Sequence, residues 1–241
     1  MWLLPLVAGA VVPHAPLLLG ELDTAEIGAE ATELRAAVAG LDLHGADAVV
    51  VATPHSRAPG VYASVAGDLG DFGIPAISGS FATAPDVIAC LETAGLDRIE
   101  GDVDHGVLVP ALIGDWSVPI VGVGVGETPS SVSDRVAAAL RDCADGFRLA
   151  VVASAHGSAA LSDRAPLTFR PEARRVEARF LAALQDDVGA AAEMASELSR
   201  VGGSCGGQVF RVLGDLFEGR AARVTAYRAP VGVGYLVAEV V

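Results

Sequence analysis

Leu6-Val7-Ala8-Gly9-Ala10-Val11-Val12, followed at once by Pro13-His14, is the stretch on which the fold turns. Its residues do not alternate between apolar and polar, so a strand formed here has no solvent-facing side and belongs in the middle of a sheet covered on both faces. Ala48–Thr53 repeats the pattern before Pro54-His55, and Leu149–Ala153 repeats it before Ser154-Ala155-His156. A further stretch, ending at Asp104-His105, is read the same way. Four of the five histidines therefore follow candidate strands. In an open α/β sheet the carboxyl ends of the strands converge on a crevice, where imidazoles from separate strands can share one site. Imidazole is the commonest metal ligand and titrates near neutral pH.

Outward from these strands the chain reads strand, loop, helix. Asp23-Thr24 caps a helix running to about Gly40, with Glu26 and Glu30 near its positive end. A Gly/Pro-broken region extends from Arg57 to Pro75. Ala84–Ala94 is helical, with Pro85 in its first turn and Gly95 as its stop. Pro119–Val125 is another buried strand, and Ser130-Ser131 caps a helix to about Ala144. Pro171–Leu184, Val188–Leu198 and Cys205–Phe217 read as helices, and Arg223–Arg228 and Gly234–Val240 as strands. The alternation predicts a three-layer α/β/α sandwich with a mostly parallel central sheet. No repeat and no linker divides it, so residues 1–241 are read as one domain.

The composition narrows the partners. Hydrophobic residues make up 52% of the 241 positions and charged ones 19%, which supports a packed core and excludes disorder. Thirty acidic residues against sixteen basic ones give a formal net charge of −14. That balance argues against nucleic acid, an anionic membrane surface or a polyanionic substrate. Cys90, Cys143 and Cys205 are far apart and without CxxC spacing, so neither a disulfide framework nor a zinc ribbon is expected and a reducing cytoplasm fits. Ala8-Gly9-Ala10 faintly imitates a signal cleavage site, but no basic segment precedes it and the apolar run is too short to span a bilayer.

Several features carry no chemistry. Gly122-x-Gly124-x-Gly126 has the wrong spacing for a dinucleotide loop and lies partly within a strand, where small residues let helices pack closely. His44, between Leu43 and Gly45, is read as a surface residue. Arg57, two residues past His55, is placed to face an aromatic carboxylate or simply to be solvated, and Asp104 to hold the His105 ring or raise its pKa.

Taken together, Val12-Pro13-His14-Ala15-Pro16, Ala52-Thr53-Pro54-His55-Ser56, Asp104-His105-Gly106-Val107-Leu108-Val109-Pro110, Val151–His156 with Ala165-Pro166, Cys205-Gly206 and Gly232-Val233-Gly234-Tyr235 resemble the class III extradiol ring-cleavage dioxygenases. This LigB-like superfamily also holds the Memo-like branch, and the likeness covers most of the chain. It implies a non-haem iron(II) site with His14 and His55 as imidazole ligands, and His105 and His156 as general base and acid toward a catechol opened by dioxygen. It also implies association into a homo-oligomer.

Two departures accompany the likeness. Catechol-cleaving members use a glutamate as third ligand, where this chain reads Gly203-Ser204-Cys205-Gly206, closer to the Memo-like branch. Cys205 is then either a thiolate ligand, which favours zinc over iron(II), or a small residue at a helix start. Glu193 and Glu218 are substitute carboxylates without a motif. A gapless match from Val151 to Pro166 also sets the family histidine on Ala159 and its aspartate on His156. Three expectations follow: an extradiol-type dioxygenase, a Memo-like metal-binding protein working through a partner or Cys205 redox chemistry, and a metal-independent hydrolase or scaffold.

Overall fold

The computed structural model describes residues 6–22, 27–43, 45–126 and 130–241, the Ser130 side chain excepted. The calls on Asp23, Thr24, Glu26 and His44 lie outside the described residues. In chain order the elements are β1 (Leu6–Val12), α1 (Gly28–Ala39), β2 (Ala48–Thr53), β3 (Gly60–Tyr62), β4 (Val65–Leu69), β5 (Ile74–Phe81), α2 (Pro85–Thr93), β6 (Arg98–Ile99), α3 (His105–Gly114), β7 (Ile120–Gly124), α4 (Ser130–Ala144), β8 (Leu149–Ser154), α5 (Pro171–Asp186), α6 (Val188–Glu197), α7 (Gly207–Leu216), β9 (Ala222–Arg228) and β10 (Tyr235–Val240). A π-helical turn, Leu198–Gly202, extends α6.

Eight strands form one sheet in the order β6-β3-β7-β2-β8-β1-β10-β9. The central four, β7, β2, β8 and β1, run parallel. The missing alternation in the sequence has the cause expected. In β2, Ala48, Val50 and Ala52 pack with the helices α2, α4, α5, α6 and α7, while Val49 and Val51 pack on the other face with α1 and α3. β8 divides in the same way, with Val151 and Ala153 on one side and Ala150 and Val152 on the other. The result is the α/β/α sandwich with a mostly parallel centre that the pattern predicts.

Three expectations are corrected. The region 57–75 is not merely a broken loop: it contributes edge strand β3 and the separate two-stranded hairpin β4–β5. Gly67, Gly70, Gly73 and Pro75 mask these short strands in the sequence, and Gly73 at φ +76° completes the turn after a single 3-10 turn at Gly70–Phe72. His105 does not follow a strand. It is the first residue of α3, capped by Asp104, whose side chain accepts from the Gly106 N–H. That helix is apolar all round because the sheet and the hairpin enclose it, which removes its amphipathic signature.

The third correction is covalent. Cys90 and Cys143 form a disulfide, because α2 and α4 pack side by side on the same face of the sheet and close a sequence separation of 53 residues. No described helix is long and apolar enough to cross a membrane.

Candidate metal centre

Register brings the histidines together. β1 and β8 pair with Val12 opposite Ser154, and the imidazoles stand two residues beyond each of these positions, at His14 and His156. β2 lies on the other side of β8 and ends at Thr53, so His55 also stands two residues past a strand end. α3 delivers His105 and the turn before α7 delivers Cys205. The contacts are close: His14 Nε2 lies 3.0 Å from His55 Nε2 and 3.4 Å from Cys205 Sγ. The His55 and His105 rings stack with centroids 4.3 Å apart.

Ligand atoms of His14, His55 and His105 lie within 4.8 Å of one another, as do those of His14, His156 and Cys205. All five candidate residues thus meet in one cluster. The other candidates do not join it. Glu193 and Glu218 are exposed, Glu218 past the far end of α7, and Ala159 is buried in the core instead of facing the histidines. Among the described residues no carboxylate joins either group.

Hydrogen bonding sets which nitrogen of each ring is free. The Ser154 hydroxyl donates to the Gly106 carbonyl at 2.5 Å, so its oxygen accepts a hydrogen bond from His14 Nδ1–H, 2.9 Å away. His14 Nε2 is left with its lone pair facing His55 and Cys205. His156 Nδ1 donates to the Gly157 carbonyl at 2.8 Å, which frees its Nε2 in the same manner. Metal-binding histidines characteristically donate their second N–H in this way.

Electrostatics favour neutral rings. Burial holds His14 well below the ordinary imidazole range, with the neighbouring imidazoles His156, His55 and His105 adding to the effect. Burial also lowers His156, and it drives His105 down to about 4, with help from His55 and against the pull of Asp104. Asp104 does not hold the His105 ring. Its carboxylate accepts from Thr53 Oγ1, Tyr62 O–H and the Gly106 N–H, each at 2.7 Å, and so fixes the start of α3.

A cavity of about 630 Å³ opens on the cluster, lined by His55, Arg57, Tyr62, Asp68, Phe72 and His105 among others. Its size is that of a small-molecule site. Phe72, at the hairpin turn, sets its ring against His105 with centroids 4.8 Å apart. Arg57 stands on this wall and is exposed, so it is both solvated and within the cavity lining. His14, His156 and Cys205 lie off the cavity lining.

Two residues escaped the sequence reading. Ser154 looked like the end of a strand and is the partner of His14. Glu177 is 2% exposed on α5, accepting from the Ser158 N–H at 2.5 Å and from Tyr227 O–H at 3.2 Å. Burial pushes its carboxyl up to about 7, against the pull of those hydrogen bonds. The signal was available, since Glu177 falls on the Ala173, Val176, Phe180, Leu184 stripe that the helix buries.

The donor spacing fits a bound ion. Two ligands held about 2.0–2.3 Å from one ion at angles of roughly 90–110° stand about 3.0–3.6 Å apart, the range of the His14–His55 and His14–Cys205 separations. No family model matches the chain, and no curated protein matches it either. The crystal structure of the uncharacterized protein JW3007 from Escherichia coli K12 is similar with a TM-score of 0.62 at 12% identity, covering 97% of this chain and 99% of that one. At that identity the likeness speaks for the shared fold alone.

Proposed function

We propose that this chain is a metal-dependent dioxygenase of the extradiol type, which opens a small catecholic ring with dioxygen at an iron(II) centre. The observation that carries the reading is the His14 Nε2 lone pair, locked by Ser154 and 3.0 Å from His55 Nε2, beside a cavity of substrate size. His14 and His55 would hold the ion on the cavity side, while Cys205, the donor beside His14 that can bring negative charge, belongs to the other ligand group of His14, with His156. Iron(II), when bound, supplies neighbouring coordination positions for a diol and dioxygen. His105, neutral and on the cavity wall, is the base that takes a phenolic proton as the substrate docks. His156 shares the other ligand group, with His14 and Cys205, and lies off the cavity lining, so we give it no part as proton donor to the substrate.

The test starts with elemental analysis of protein purified without chelators, alongside His14→Ala and His55→Ala. Stoichiometric metal lost in both variants is expected. Iron-loaded, anaerobically handled protein should then consume oxygen with a member of a broad catechol panel. Metal binding without oxygen uptake across that panel refutes ring cleavage.

The 3.4 Å approach of Cys205 to His14 favours a second reading, a Memo-like protein that binds zinc or another thiophilic ion and works through a partner or thiol redox chemistry. Its mark is stoichiometric metal lost in Cys205→Ser with no ring cleavage. A cytoplasmic location belongs to the proposal as well, and it requires Cys90 and Cys143 to resist reduction there, since disulfides persist mainly in oxidising compartments. Mass mapping of the pair in freshly lysed cells tests it.

A further inference from the structure

The Glu177 carboxyl is the buried acidic group, among the described residues, that the proposed chemistry leaves unused. It stands behind the turn that carries His156, on the side away from the cavity. A buried carboxyl is costly unless hydrogen-bonded, and this one is served by the Ser158 N–H and Tyr227 O–H. Two glycines make room for it: a Cβ at Gly157 or at Gly234 would collide with Glu177 Oε1.

Those glycines belong to a tightly stitched pair of turns. The Gly157 N–H donates to the Gly234 carbonyl at 2.7 Å, and the Gly234 N–H returns to the Ser158 carbonyl at 2.8 Å. The Gly157 carbonyl is the group that accepts from His156 Nδ1. On the other side, Ser204 Oγ donates to the His156 carbonyl at 2.6 Å and accepts from the Gly206 N–H at 3.0 Å, so the turn bearing Cys205 is bound to the turn bearing His156. The carboxylate therefore grips the backbone one residue past the carbonyl that selects the His156 tautomer.

We propose that Glu177 is a positioning residue for the metal centre: by holding the Ser158 N–H it fixes the Gly157 carbonyl, and through it the free Nε2 of His156 and the placement of Cys205. The inference rests on the metal reading above for its functional meaning, while its structural content stands on the apo protein.

The test has two arms on the full-length chain. In the first, long-range 1H–15N NMR of the metal-free protein reads the His156 ring. The wild type should show the Nδ1–H form, Glu177→Ala should show a mixture of tautomers, and Glu177→Gln, which keeps an acceptor oxygen for Ser158, should restore the wild-type pattern. In the second, Co(II) is titrated against a competing chelator. Glu177→Ala should bind 10- to 100-fold more weakly, with an altered visible spectrum, and Glu177→Gln should stay within a few-fold of wild type.

A His156 ring unchanged in folded Glu177→Ala overturns the proposal. So does a Glu177→Ala protein that melts earlier yet keeps wild-type Co(II) affinity and spectrum, because that is the behaviour of a purely structural carboxyl. If the wild type binds no Co(II) but the His156 tautomer still follows Glu177, the positioning role stands and the metal reading falls.

Discussion

Truncating Ser154 to alanine isolates the hydrogen bond that would fit His14 to hold an ion. The hydroxyl is fully buried, lies 2.9 Å from His14 Nδ1 and donates to the Gly106 carbonyl at 2.5 Å. Its removal strands two groups, an imidazole N–H and a backbone carbonyl, in a site with little access to water. Each orphaned group costs about 1–3 kcal/mol, so the fold should lose about 2–6 kcal/mol in urea melts. The larger lesson is in binding. Without Ser154 the His14 proton is free to move to Nε2, where it donates to His55 Nε2 and blocks the lone pair that an ion needs. Losing such a supporting hydrogen bond typically weakens a metal 10- to 100-fold, which is about 1.4–2.7 kcal/mol. Competition between the folded protein and a zinc-sensitive dye measures it directly. A Ser154→Ala protein that is destabilised yet binds zinc within twofold of wild type refutes the tautomer argument.

The disulfide closes a loop of 53 residues, which on the chain-entropy account is worth about 4 kcal/mol. Cys90→Ser, or dithiothreitol on the wild type, should lower the urea midpoint accordingly; a midpoint unmoved by both refutes the assignment. In the metal-free protein the buried imidazoles set the acid limb. His105 is lowered to about 4, so stability falls as pH drops from about 6.5 toward 4, with His14 and His156 adding to the slope, at about 1.4 kcal/mol per pH unit for each proton difference. Glu177 acts in the opposite sense: its carboxyl is raised to about 7, so its contribution is lost as pH rises from about 4.5 to 7. Glu177→Gln should therefore steepen the acid limb and flatten the neutral one in melts from pH 4 to 8, and parallel profiles for the two proteins count against this balance.

The buried strands were legible because of what their sequences lack. Leu6–Val12, Ala48–Thr53 and Leu149–Ser154 show no alternation, and a strand without a polar face has only the centre of a covered sheet to occupy. Since parallel strands end on one side, His14, His55 and His156 had to approach one another. What stayed hidden depends on tertiary context. α3 is apolar on every side and so carries no helical period, and β4–β5 is punctuated by glycines that a local reading assigns to turns. The Cys90–Cys143 bond needs two helices to be neighbours on one face, and spacing along the chain does not report that. Ser154 and Glu177 act through atoms brought near by folding, although Glu177 alone of the two left a trace, as a carboxylate on a buried stripe.

His14 contributes one lone pair to two ligand groups, because Ser154 consumes its other nitrogen. Occupation of the outer group, with His55 and His105, therefore excludes occupation of the inner one, with His156 and Cys205. An ion held through His14 would thus settle on one flank or the other, a choice that the hardness of the ion would decide. A thiophilic ion on the inner flank would stand back from the cavity, whereas a harder one on the outer flank would face it.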